Sequence, residues 1–134
     1  MNLNPQDFTV YDVSNFPIVM SNNAAVVPGY APRWEKELTA LVRHGQPMVL
    51  VFVPPRNEES QEDRKHRGMW LKQNKQELAS VCRALISVET DPQELLAAKE
   101  QAAGLVKAFG VPIEAVATLE EAIALGHVLT AGKA

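Results

Sequence analysis

The chain has 134 residues, of which 46% are hydrophobic and 22% charged, and its formal net charge is -3. That length fits a single domain over residues 1–134, long enough to bury roughly two thirds of its unfolded surface, and the composition excludes a disordered chain. A net-acidic chain has no general attraction for nucleic acid or anionic lipid, and a single cysteine, Cys82, excludes an intramolecular disulfide.

The opening stretch, MNLNPQDFTV, has neither the basic nor the apolar region of a signal peptide, and one cysteine suits a reducing compartment, so a cytoplasmic protein is expected. Residues 8–13, FTVYDV, alternate and favour a strand. FPIVM at 16–20 follows the turn-prone pair Ser14-Asn15, which predicts a β-hairpin. SNNAAVVPGY at 21–30 reads as a loop. Pro32 then opens a helix whose apolar stripe is Trp34, Leu38, Leu41 and Val42, and Gly45 closes it.

PMVLVFVPP is too short and too β-favouring for a helix, so it predicts a strand buried on both faces. It is also far too short to span a bilayer. A charged stretch leads from it into a long helix with Leu71, Asn74, Leu78, Val81 and Cys82 on one side. ALISVET at 84–90 is the next strand. Asp91 caps the following helix, with Pro92 first and Glu94 completing a capping box; Leu95, Ala98, Ala102, Leu105, Val106 and Phe109 form its stripe, and Gly110 stops it. VPIEAVA at 111–117 is a strand. Thr118, with Glu121 three residues on, caps a last helix that turns Ala122, Ile123, Val128 and Leu129 inward, and the TAGKA end frays. The predicted order β-β-α-β-α-β-α-β-α means an α/β domain with a mixed, mostly parallel sheet between helical layers.

The charged stretch, PPRNEESQEDRKHRGMWLKQNK, carries most of the candidate chemistry. Its acids, Glu58, Glu59, Glu62 and Asp63, precede most of its bases, which complements a helix dipole, and Glu62–His66 and Asp63–Arg67 have i,i+4 spacing. One reading is therefore a solvated, self-stabilised helix start. The other uses position: the loop leaving a central parallel strand lies at the carboxyl end of the sheet, where α/β folds bind ligands. There Arg64 and Arg67 share a helix face and suit a carboxylate, a phosphate or a partner's acidic residue. Trp70 points elsewhere and is either a partner-binding anchor or a cover for the core edge. A second polar segment, SNNAAVVPGYAPRW, brings Asn22, Asn23, Tyr30 and Arg33 to the same rim, where the two segments could frame a pocket; the residues also suit plain turns. Cys82 falls on the apolar side of its helix as a core residue. His44, His66 and His127 have no metal-ligand spacing, and no phosphate-loop, dinucleotide or hydrolase motif occurs.

In the last third, RALISVETDP and VPIEAVATLEEAIALGHVL resemble the ending of the SpoIIAA-like proteins of the STAS fold, and the order of elements is similar over nearly the whole chain. The resemblance implies a small regulatory α/β domain. The phospho-regulated members carry a serine in a DSSG-like motif after the central strand; here PPRNEESQED stands in that place, with Ser60 its one hydroxyl and so the one candidate phosphosite. The expected function is thus a non-enzymatic regulatory or protein-interaction module working through residues 56–75, with Arg64, Arg67, Trp70, Asn23, Tyr30 and Arg33 as binding residues. The alternative is a small-molecule-binding protein or enzyme with an anion-recognising pocket between segments 22–33 and 56–71. The expected partner is a protein or a small acidic ligand, with no nucleic acid, membrane, metal or cofactor. The uncovered hairpin edge also invites a homodimer.

Overall fold

The computed structural model describes residues 4–53 and 59–131, apart from five side chains near the end of the third long helix; Leu105 and Phe109, expected on that helix's stripe, are among the five. The elements in order are β1 (Tyr11–Asp12), β2 (Ile18–Ser21), α1 (Ala31–His44), β3 (Met48–Phe52), α2 (Gln61–Val81), β4 (Cys82–Val88), α3 (Pro92–Phe109), β5 (Ile113–Val116) and α4 (Leu119–Ala131). The five strands form one sheet in chain order. β1 runs antiparallel to β2, and every other pairing is parallel, with Ile18 opposite Val49, Leu50 opposite Leu85 and Leu85 opposite Ile113. This is the α/β architecture that the alternation of strands and helices predicts.

Crossovers of one hand between neighbouring parallel strands place their helices on one face. Trp34, Leu38 and Leu41 of α1 and Trp70, Leu71, Leu78 and Val81 of α2 pack there on Val19, Met48, Leu50 and Leu85. α3 lies beside α2 and β5. α4 returns across the other face and covers Ile18, Val49, Val51, Ala84, Ile86 and Val88. Met48 to Val51 are therefore buried consecutively, as a strand with helices on both sides requires.

The helix ends follow local chemistry. Gly45 and Gly110 terminate α1 and α3 in the left-handed region, at φ 73° and 75°. Asp91 accepts the Gln93 amide, and Thr118 accepts the Glu121 amide while its hydroxyl donates to the Glu121 carboxylate. α2 has non-helical backbone angles at Asn74, whose side-chain amide donates to the Trp70 carbonyl 2.9 Å away. A side chain bonding to that carbonyl, four residues back, accounts for the kink.

Three details differ from the sequence reading. The first strand shrinks to Tyr11–Asp12, because the amides of Thr9, Val10 and Tyr11 are taken by the Glu37 carboxylate rather than by a neighbouring strand. Cys82 opens β4 opposite Met48 instead of ending α2; it is buried, and burial pushes its thiol up to about 12, which keeps it inert. Val128 faces solvent, at 68% exposure, because the inward side of α4 runs through Ala122, Leu125, Gly126 and Leu129.

Gly126 sets how closely α4 approaches the sheet. A Cβ there would lie 2.4 Å from Ile18 Cδ1 and 2.8 Å from Val49 Cγ2, both on buried residues. Gly126→Ala gains about 1 kcal/mol of helix propensity but overpacks this contact by about 2–3 kcal/mol. The expected net loss is about 1–2 kcal/mol, seen as a lower urea midpoint at unchanged slope.

Candidate ligand-binding cleft

Because β2 and β3 are parallel neighbours, the segments that leave them emerge at one rim of the sheet. The two polar segments meet there. The Asn23 side-chain amide donates to the Val53 carbonyl. The Asp63 carboxylate, on a residue only 4% exposed, accepts the Gly29 amide (2.8 Å), the Ala31 amide (3.1 Å) and the Ser60 hydroxyl (2.8 Å). Asp63 thus clips the start of α1 to the start of α2. Burial alone would push its carboxyl up, but the Gly29 amide, the Ser60 hydroxyl, the Ala31 amide and nearby His66 hold it below the ordinary value.

Above this clip lies a cleft of about 520 Å³. At its polar end Glu59 accepts the Tyr30 hydroxyl on Oε2 at 2.8 Å and Arg67 Nη1 on Oε1 at 2.6 Å, and Arg64 Nε lies 3.7 Å from Oε1. At its apolar end stand Tyr11, Trp34 and Phe52. The Arg67 guanidinium lies 5.4 Å from the centre of the Trp34 ring, a cation–π distance. The Trp34 indole N–H donates to the Tyr11 hydroxyl at 3.0 Å. Behind them an apolar pocket of about 210 Å³ reaches Leu38, Leu50, Leu71, Leu78, Leu85 and Ile113, and it shares Tyr11, Trp34, Phe52 and Arg67 with the cleft.

The charge states follow from burial and partners. Burial drives the Tyr11 phenol far up and pushes Tyr30 up to about 12, so both remain hydroxyl donors at neutral pH. Burial pulls Arg67 down, but the hydrogen bond to Glu59 and the charge of its carboxylate oppose this, and the guanidinium stays charged. Arg67 Nε is buried and has no hydrogen-bond acceptor among the described residues.

Of the residues picked from sequence, Asn23, Tyr30, Arg64 and Arg67 line the cleft. Arg33 does not. Its Nε pairs with Glu37 at 2.8 Å and its Nη2 donates to the Asp7 carbonyl at 2.6 Å, which turns it away to brace the N-terminal segment. Trp70 is 7% exposed and packs edge-on against Trp34 at 5.4 Å, so it is not available as a surface anchor and instead backs the cleft wall. It also joins the same core cluster as Leu71, against the expected separation of the two. Ser60 caps α2: its hydroxyl accepts the Asp63 amide at 3.1 Å and donates to the Asp63 carboxylate. Arg56 and Glu58 lie outside the described residues.

The ion pairs within α2 expected from spacing give way to pairs with other segments. His66 Nε2 lies 2.6 Å from Glu35 Oε1 of α1, Asp63 serves backbone amides, and Arg67 takes Glu59. Tyr11, Trp34, Phe52 and Glu59 are cleft residues that the sequence reading missed. The aromatics carried one signal, namely that they sit near the rim ends of their elements. Glu59 carried none, since helix-start acids are commonplace.

Among the described residues no three His, Cys, Asp or Glu side chains gather as metal ligands would, and no helix is long and apolar enough to cross a membrane. No family model matches this chain, and no curated protein or solved structure matches it either.

Proposed function

We propose that this chain is a small-molecule-binding domain for an organic anion with an apolar body, acting in the cytoplasm as a regulatory module of SpoIIAA-like type. The observation that carries the reading is the shared wall. Arg67 and three aromatic side chains border both the polar cleft and the apolar pocket behind it. A ligand's acid group would meet Arg67 and Arg64, and its hydrocarbon would pass Trp34 toward Leu71 and Leu85. Arg64 and Arg67 are the two cationic side chains of the described lining and give a ligand's acid group its charge partners. The protein-partner reading has less support, because its aromatic anchor, Trp70, is buried.

Octanoate titrated into the protein should change the fluorescence of the packed pair Trp34 and Trp70 saturably, whereas octylamine should not. Arg67→Met keeps the stem and removes the charge. It should weaken octanoate binding about 10- to 100-fold, the scale of a charged hydrogen bond. Equal binding of octanoate and octylamine, or an unaffected Arg67→Met variant, would remove the anion site.

A further inference from the structure

The cleft already contains a carboxylate, that of Glu59. Its side chain is only 14% exposed, and the donors around it come from two separate elements: Tyr30 just before α1, and Arg64 and Arg67 on α2. The start of α2 does not need it. Ser60 is the N-cap, and Glu62 and Asp63 are the first-turn acids that complement the dipole. Glu59 is nevertheless turned into the cleft, where it is the one carboxylate among the described lining residues. The two oxygens are served separately, Oε2 by a phenol and Oε1 by the guanidinium groups, an arrangement that matches a planar carboxylate.

We infer that Glu59 is the specificity-determining residue of the cleft: its carboxylate stands where a ligand's acid group binds, so the site takes monocarboxylates and each must displace Glu59 to enter. This rests on the ligand-binding reading above. Glu59 precedes the N-cap, Ser60, so its side chain is no part of the helix cap. Arg67 has a second contact besides Glu59, its guanidinium lying 5.4 Å from the centre of the Trp34 ring. The donors left behind by Glu59 are those that an incoming carboxylate requires, and the buried Nε of Arg67 offers one more. An internal competitor scales apparent affinity down by the fraction of time it leaves the site open. Neutral ligands that use only the apolar pocket do not compete with it.

The test compares octanoate and octanol binding to the intact protein and to Glu59→Gln, by calorimetry. Glutamine keeps the shape and loses the charge, so octanoate should bind about tenfold more tightly than to the parent, while octanol stays within about twofold. Glu59→Ser, which also shortens the side chain, should show the same order and guards against a poorly folded first variant. Binding of octanoate by the variants alone also supports the inference. If the parent binds octanoate and both variants bind it equally or more weakly, Glu59 assists the ligand or merely orders Arg67, and the inference fails while the anion site stands. If no form binds octanoate, both fail.

Discussion

Replacing Glu37 with alanine is expected to lower the melting temperature by roughly 10–20 °C, the largest effect of any single substitution considered for this protein. Glu37 sits on the buried side of α1 at 2% exposure. Its Oε2 accepts the amides of Thr9 and Val10 at 2.9 and 3.1 Å, and its Oε1 accepts the amide of Tyr11 at 2.9 Å. Arg33 Nε, 2.8 Å away, balances the charge. Alanine would strand these amides, two of them in fully buried hydrogen bonds, and leave Arg33 without its counter-ion. Each buried unpaired donor costs about 1–3 kcal/mol, and partial access of water brings the sum to about 3–5 kcal/mol. Glu37→Gln keeps an acceptor oxygen and should lose about half as much. Thermal melts followed by circular dichroism check the size. Hydrogen exchange checks the cause: the Thr9, Val10 and Tyr11 amides should lose protection before those of the central strands β3 and β4 do. A melting point within a few degrees of the parent would mean that the N-terminal segment is held by its apolar contacts instead.

The contrast between Glu37 and its neighbours marks where the sequence was legible. Trp34, Leu38 and Leu41 repeat at helical spacing, so they declare their side of α1 without any knowledge of what they pack on. Met48 to Val51 declare a doubly covered strand in the same way. Glu37 lies on that same face, and hydrophobic periodicity has no place for a charge there; only the chain 26–28 residues earlier explains it. The charged segment misled for the same reason. Local spacing pairs Glu62 with His66 and Asp63 with Arg67, yet His66 bonds to Glu35 and Arg67 to Glu59. Polar side chains choose partners by three-dimensional neighbourhood, and one sequence without its fold lists only the near ones. The rim position of the two segments was legible because parallel strand order fixes it. The chemistry at that rim was legible only in part: Arg64, Arg67, Asn23 and Tyr30 were visible as candidates, while Glu59 and the aromatic wall depend on packing.

Asp63 repeats the logic of Glu37 one helix further on, and it predicts a pH dependence. Asp63→Ala removes the acceptor for the Gly29 and Ala31 amides and for the Ser60 hydroxyl, and should cost about 2–4 kcal/mol at neutral pH. The carboxyl is held below its ordinary value in the folded protein, so in the acid range the unfolded chain binds the proton first. Stability contributed by this group is therefore complete above the unfolded carboxylate value, about pH 4, and is lost as pH falls through the folded one. Urea unfolding of the parent and of Asp63→Asn from neutral pH downward should show the parent's advantage shrinking below that value. Asparagine cannot titrate, so its own curve should be flatter over the same window. Because Asp63 anchors both cleft segments without lining the cleft, Asp63→Ala should also weaken octanoate binding under conditions where the protein remains folded. An advantage that stays constant into acid would mean that the Gly29 and Ala31 amides are satisfied without the charge, and that the rim is held together by its apolar contacts.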